Sequence, residues 1–125
     1  MVKTLTSIFI SFIVLFGISI FEQKFVNDTF ALFTQAVLSL HDKTEAKTAT
    51  FEDGTAIRSL WEDKKKSLQI WLPHTALQEV DYQLYEAVGF ICVKDYESAL
   101  PKIEVVLGMC DNIPYSYTFH IENIL

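Results

Sequence analysis

Hydrophobic and polar positions divide the chain into two regimes. From Thr4 to Phe21 eighteen consecutive residues carry no charge, and most are Ile, Phe, Leu or Val. Thr6, Ser7, Ser11 and Ser19 interrupt the run without forming a polar face, so it does not pattern as the amphipathic helix of a soluble core. Beyond it the apolar positions become periodic. Val26, Phe30, Phe33, Val37 and Leu40 are spaced 4, 3, 4, 3, one stripe along a helix. No Gly or Pro lies between Ile18 and Leu40, so the pattern predicts a single helix running out of the apolar segment. It should end in the polar stretch His41 to Thr50.

A second helix is predicted from Phe51 to Leu72, with Ile57, Trp61, Leu68 and Trp71 on one face and the alkyl stem of Lys64 over the seam. Pro73 stops it. Thr75 and Gln78 have capping-box spacing for a third helix, on which Leu77, Val80, Leu84, Val88 and Ile91 repeat. A turn at Val93-Lys94-Asp95 leads to a fourth helix carrying Leu100, Ile103, Leu107 and Cys110. Pro101 fits only a first turn, which favours Ser98 as its cap or else a kink, and the helix is expected to end at Asn112. The tail alternates Tyr115, Tyr117, Phe119 and Ile121 with Ser116, Thr118 and His120, a period of two that predicts an extended strap in an apolar groove. The expected fold is all-α: an N-terminal transmembrane helix continuing into a small three- to four-helix antiparallel bundle with an extended C-terminal tail.

The length of the apolar run decides between an anchor and a cleaved signal. Eighteen residues rise roughly 27 Å, close to the hydrocarbon thickness of a bilayer. A cleavable signal has a shorter apolar region and a small-x-small site; Ile18-Ser19-Ile20-Phe21 offers none. The expectation is residues 1–21 as a short cytoplasmic start and anchor, and 22–125 as an extracytoplasmic bundle. Lys3 on the near side sets the orientation, with the amino terminus in the cytoplasm. Gly17 and Glu22 copy a type IV pilin spacing, but there the apolar run follows the glycine, and here it precedes it.

Charge narrows the partners. Lys3 aside, nine basic side chains face sixteen acidic ones, a net of −7. This argues against nucleic acid, which needs cationic surface, and against docking on anionic lipid by a basic patch; no nucleic acid is expected as a partner. Lys64-Lys65-Lys66 fan about 100° apart on a helix beside Glu62 and Asp63, and read as solvated surface.

Candidate chemistry is sparse. His41, His74 and His120 are far apart, and none has a carboxylate three residues before it, as a di-metal bundle would require. Cys-x-x-Cys, His-Glu-x-x-His and a glycine-rich phosphate loop are all missing from the sequence. His74 reads as a residue at a helix start, and Asp81, Asp95 and Glu97 as solvated or capping carboxylates. Trp61 and Trp71 read as core, and Asn27-Asp28-Thr29 is a formal glycosylation sequon. Cys92 and Cys110 fall about 20 Å apart on a helical hairpin, beyond the reach of a disulfide. Both are expected to be separate buried thiols. No catalytic, cofactor-binding or metal-ligating residue is assigned, no cofactor is expected, and the chain is not expected to be an enzyme.

The whole chain resembles a family of small bacterial membrane-anchored proteins, domain of unknown function 4363. The resemblance rests on the short start and apolar helix, the Trp61 and Lys65-Lys66 region, and His74 followed by Leu77 and Leu84. The turn Asp95-Tyr96-Glu97-Ser98-Ala99-Leu100 and the closing Asn112-Ile113-Pro114 through Glu122-Asn123-Ile124-Leu125 complete it. It implies a membrane helix followed by a small helical bundle, and no activity. Asp95 to Ala99 also echoes a tetratricopeptide helix opening, but no copy recurs about 34 residues away. The functional expectation is a single-pass module on the outer face of the cell membrane, structural or binding a protein partner. The alternative is a sensor-type bundle holding a small molecule, which an apolar cavity walled by Trp61, Trp71 and the tyrosines would favour.

Overall fold

A computed structural model describes the backbone of residues 2–117 and the side chains of residues 2–115. Its four helices are α1 (Val2–Glu45), α2 (Phe51–Leu68), α3 (His74–Cys92) and α4 (Tyr96–Tyr117). Each packs on the next and α4 closes on α1, giving an up-down-up-down bundle.

The length of α1 follows from its sequence. With no helix breaker past Gly17, it runs 44 residues, about 66 Å. Its two parts face different surroundings. Val26, Phe30, Phe33, Val37 and Leu40 are buried in the core, as their spacing predicts. The stripe continues one step further to Thr44, a polar residue tolerated because its hydroxyl donates to the Leu40 carbonyl at 2.7 Å. No residue of the apolar window before Phe21 is buried, and the large apolar side chains there are 46–77% exposed.

Both distal turns use one device. After α1 the Lys47 and Thr48 N–H groups donate to the Thr44 and Lys43 carbonyls at 3.0 and 2.8 Å. After α3 the Lys94 and Asp95 N–H groups donate to the Ile91 and Phe90 carbonyls at 3.0 and 2.8 Å. These are Schellman closures, which place the following residue in the left-handed region. Lys47 (φ 60°) and Lys94 (φ 61°) occupy it, where glycine is usual. The Tyr96 hydroxyl ties the two turns together by donating to the Ala49 carbonyl at 2.9 Å.

Several expected boundaries shift. Helix α2 ends at Leu68 rather than Leu72, and residues 69–72 form a turn held by Trp71 and Leu72 N–H bonds to the Leu68 carbonyl. The capping box falls at the start of α2, where Thr50 Oγ1 accepts from Asp53 N–H and the Asp53 carboxylate accepts from Thr50 N–H. It does not form at Thr75 and Gln78. Pro73, fixed near φ −60° with ψ 142°, is itself the half-helical residue before α3, so Thr75 already lies inside the helix. Helix α4 is closed by Asp95, not Ser98: its carboxylate accepts the Ser98 N–H at 3.2 Å. Pro101 therefore stands in the second turn. The helical donor lost to the Glu97 carbonyl is replaceable by water, since Glu97 is exposed. The helix also passes Asn112 and runs through Pro114 to Tyr117. The first residues of the expected strap are thus helical, and the remainder, Thr118 to Leu125, lies outside the described residues.

Gly54 sets the spacing of α2 and α3. A Cβ built there would meet Val88 Cγ1 at 3.1 Å, tighter than ordinary packing, so glycine lets the helices approach.

Candidate functional site

The most connected polar group links α2 and α3. Trp61 is fully buried, its ring 5.0 Å from Phe33 and 6.3 Å from Phe30. Its indole N–H donates to Asp81 Oδ1, and Lys65 Nζ donates to Asp81 Oδ2 at 3.0 Å. One turn along, the Tyr85 hydroxyl donates to Glu62 Oε1 at 3.0 Å, and the Arg58 guanidinium lies 4.3 Å over the Tyr85 ring. Burial, followed by the hydrogen bond to Glu62, pushes the Tyr85 hydroxyl up to about 12. Asp81 and Lys65 are thus not the solvated groups that the sequence suggests. Their side chains are mostly buried, and Asp81 is the acceptor that makes a buried tryptophan N–H tolerable. The group is satisfied within itself and works as a clasp.

A second cluster escapes the sequence criterion, which looks only three residues before each histidine. Glu45 lies four residues after His41, one helical turn away, and that spacing is the signal. His41 Nδ1 is 3.7 Å from Glu45 Oε2 and 4.0 Å from Asp42 Oδ1, while Nε2 faces Glu104 of α4 at 3.5 Å. His41, Asp42 and Glu45 each bring one ligand atom within 4.8 Å of the others. Glu104 lies on the opposite ring nitrogen and cannot join them on one ion. The carboxylates are exposed and lie in a single turn, an arrangement common on acidic surfaces.

The remaining candidates disperse. His74 is exposed at the first position of α3, and His120 lies outside the described residues. Thr29 of the sequon is held in α1 by a 2.7 Å bond to the Phe25 carbonyl. Asp95 caps as expected, and Glu97 is solvated. Both cysteines are free, but only Cys110 is buried; Cys92, in the last turn of α3, is exposed, which corrects the expectation of two buried thiols. Burial pushes the Cys110 thiol up to about 11, against a smaller opposing hydrogen bond with Thr34. Trp71 is half-buried in the turn after α2 rather than on that helix, and its ring meets Phe21 edge-on at 6.2 Å.

Two open grooves run along α1. One of about 210 Å³, beside α2, is lined by Ala36, Leu40, Ile57 and Leu60, with the Lys43–Asp53 ion pair (3.0 Å) at its rim. The other, about 370 Å³ beside α4, includes Phe30, Thr34, Leu107 and Cys110. Neither is walled by Trp61 or Trp71.

Comparison with known proteins matches the family model for a domain of unknown function, DUF4363, over residues 23–124. No curated protein and no solved structure matches. The matched segment starts two residues past the apolar run and takes in the core stripe of α1, the clasp between α2 and α3, and α4. The chain belongs to the DUF4363 family.

Proposed function

We propose that the chain is a single-pass membrane protein whose apolar run, residues 4–21, holds a four-helix bundle on the outer face of the cell membrane. The bundle serves there as a structural or protein-binding module. The observation that carries this reading is the contrast within α1. From Val26 onward one apolar stripe, Val26, Phe30, Phe33, Val37 and Leu40, is buried while Leu32 and Leu38 face outward, whereas the 18-residue apolar window at its start has none of its residues buried. Water is a poor solvent for that surface. At roughly 25 cal/mol per Å² of apolar area, each of these large side chains gains about 1.5–3 kcal/mol on leaving water. The hydroxyls in the run suit hydrocarbon, because Thr6, Ser11 and Ser19 each donate to the carbonyl four residues earlier at 2.8–3.0 Å. Lys3 and Lys24 bracket the segment 21 residues apart, about 32 Å of helix.

A binding module accords better than an enzyme with the Trp61–Lys65–Asp81 and Arg58–Glu62–Tyr85 groups, whose members pair with one another. It accords better than a small-molecule sensor with grooves that are open and with tryptophans that wall neither of them.

Cys92 provides a native probe of this reading, being exposed at the end of the bundle farthest from the apolar run. A membrane-impermeant maleimide added to intact cells is expected to label the wild-type protein and not Cys92→Ser. Labelling that appears only after permeabilisation would reverse the orientation. Release of the protein by alkaline carbonate would remove the anchor. Crosslinking of the intact membrane protein, comparing the wild type with variants bearing charges along the α1–α2 groove, tests the binding role; an identical crosslinking pattern in all of them would count against that groove.

A further inference from the structure

The chain's two tryptophans are placed very differently, and the less buried one occupies a position that the core does not explain. The turn Gln69–Pro73 closes α2 against α3 at the end of the bundle where α1 leaves the apolar run. Leu72 is buried and pins the turn, and backbone bonds from Ile70, Trp71 and Leu72 N–H to the Ser67 and Leu68 carbonyls fix its shape. That fixed turn projects Ile70, which is 76% exposed. Trp71 beside it packs edge-on against Phe21, the last residue of the apolar run before Glu22, and Phe21 stacks on Phe25 at 6.1 Å. The indole is therefore level with the point where α1 passes from uncharged to charged sequence.

The charge pattern singles out the same place. Of sixteen acidic residues none lies between Asp63 and Glu79, the longest acid-free stretch after the apolar run, and it carries three lysines. Lys65 is taken up by Asp81, but Lys66 is exposed in the last turn of α2. An aromatic ring with one apolar edge and one N–H, an exposed isoleucine and a neighbouring exposed lysine are the side chains that favour the layer between hydrocarbon and headgroups.

We propose that the Gln69–Pro73 turn is a second membrane contact, seating Ile70 and Trp71 in the interfacial layer of the bilayer that α1 crosses. This rests on the anchor reading and extends it: the bundle does not stand clear of the membrane but leans on it through this turn. Continuity of the exposed apolar surface from Phe21 to Trp71 and Ile70 identifies lipid as the occupant. A protein partner would have to displace the bilayer from the base of its own anchor.

The test uses the full-length protein in phosphatidylcholine vesicles carrying bromine on the upper acyl chain, a short-range quencher of tryptophan emission. Trp61 lies beside Phe30 and Phe33, about 13–18 Å further along α1 than Phe21, and is shielded. Brominated lipid is expected to remove up to half of the wild-type emission, the share of one of the two tryptophans, and to leave Trp71→Phe unchanged. Ile70→Glu replaces an exposed side chain, so it should keep the wild-type unfolding temperature while losing most of the quenching. Protein that floats with the vesicles and resists carbonate, yet is quenched no more than Trp71→Phe, would overturn the seated turn and leave the anchor standing. Quenching undiminished in Ile70→Glu would also overturn it. Protein that does not float would remove the anchor and this contact together.

Discussion

Removing the carboxylate of Asp81 tests what holds α2 on α3. In Asp81→Ala the Trp61 indole N–H remains fully buried and loses its acceptor, at a cost of about 1–3 kcal/mol. Lys65 loses its counter-ion as well, but its side chain is partly exposed and can turn to water, so that loss is held to about 0.5–1 kcal/mol. Together the expected destabilisation is about 1.5–4 kcal/mol. For a bundle of this size each kcal/mol moves the midpoint by about 4–8 °C, so a drop on the order of 10 °C or more is expected. Asp81→Asn separates the two contributions. Its amide oxygen still accepts from the indole while the charge is gone, so it should cost less than about 1 kcal/mol. Lys65→Met should match it. The assay is thermal unfolding of the full chain in mild detergent, followed by near-ultraviolet circular dichroism and tryptophan emission. If Asp81→Asn were as damaging as Asp81→Ala, the ion pair would be the dominant contact and the reasoning from the indole would fail. If Asp81→Ala were neutral, water would have replaced the carboxylate and Trp61 would not be sealed.

Four further outcomes are expected. Gly54→Leu should destabilise the bundle by more than about 1–3 kcal/mol, because a Cβ alone meets Val88 at 3.1 Å; chemical denaturation reads it, and an unchanged midpoint would refute the close approach. A neutral-pH maleimide should modify Cys92 quickly and Cys110 only on unfolding, since Cys110 is buried and its thiol is pushed up to about 11; mass spectrometry of the two peptides separates them. Tyr85, pushed up to about 12 in the fold, ionises first in the unfolded chain, so its contribution to stability is complete below about pH 10 and is lost as pH rises towards 12. A late-titrating tyrosine at 295 nm that disappears in Tyr85→Phe checks this. Lys94→Gly should raise the midpoint, because the left-handed conformation costs a non-glycine residue about 1–2 kcal/mol, partly offset by about 0.4–1 kcal/mol of unfolded-chain entropy; a lower midpoint would mean that the lysine side chain makes a contact worth more than the strain.

Helices are legible in this chain where periodicity is carried by large apolar residues. The α1 stripe from Val26 to Leu40 and the α3 stripe from Leu77 to Ile91 need nothing beyond side-chain spacing, and both are buried as spaced. Boundaries were less legible because several local solutions compete. Thr75 with Gln78 and Thr50 with Asp53 both have capping-box spacing, and the proline at 73 pre-empts the first by taking the cap position itself. At α4, Asp95 and Ser98 are both capping residues; the Schellman turn at Lys94 delivers the chain to Asp95 first, and Pro101 then has to be accommodated inside the helix. Pairings across helices were not legible. Nothing in the sequence around Asp81 says that it faces a tryptophan twenty positions earlier, and nothing around Cys92 says that it is exposed while its neighbour Ile91 is buried. The His41 cluster depends on Glu104, sixty-three residues away, although its local half, His41 and Glu45, is visible as a one-turn spacing.

The continuity of α1 has a consequence for any partner. A flexible linker would let the bundle sample many orientations over the membrane, but Gln23, Lys24 and Phe25 are ordinary helical residues in an unbroken 44-residue helix. Val26, the first core residue, lies only five positions past Phe21, about 7.5 Å along the axis. In the anchored reading the core therefore begins nearly at the bilayer surface, in a fixed direction set by the helix that crosses it. The faces left open are then the sides and the distal end. The sides offer the groove between α1 and α2, where Leu40, Ile57 and Leu60 lie under a charged rim, and the distal end offers exposed Val93 beside Cys92. In that reading the groove runs along the axis of α1, so a partner seated in it would lie side by side with the helix that crosses the bilayer.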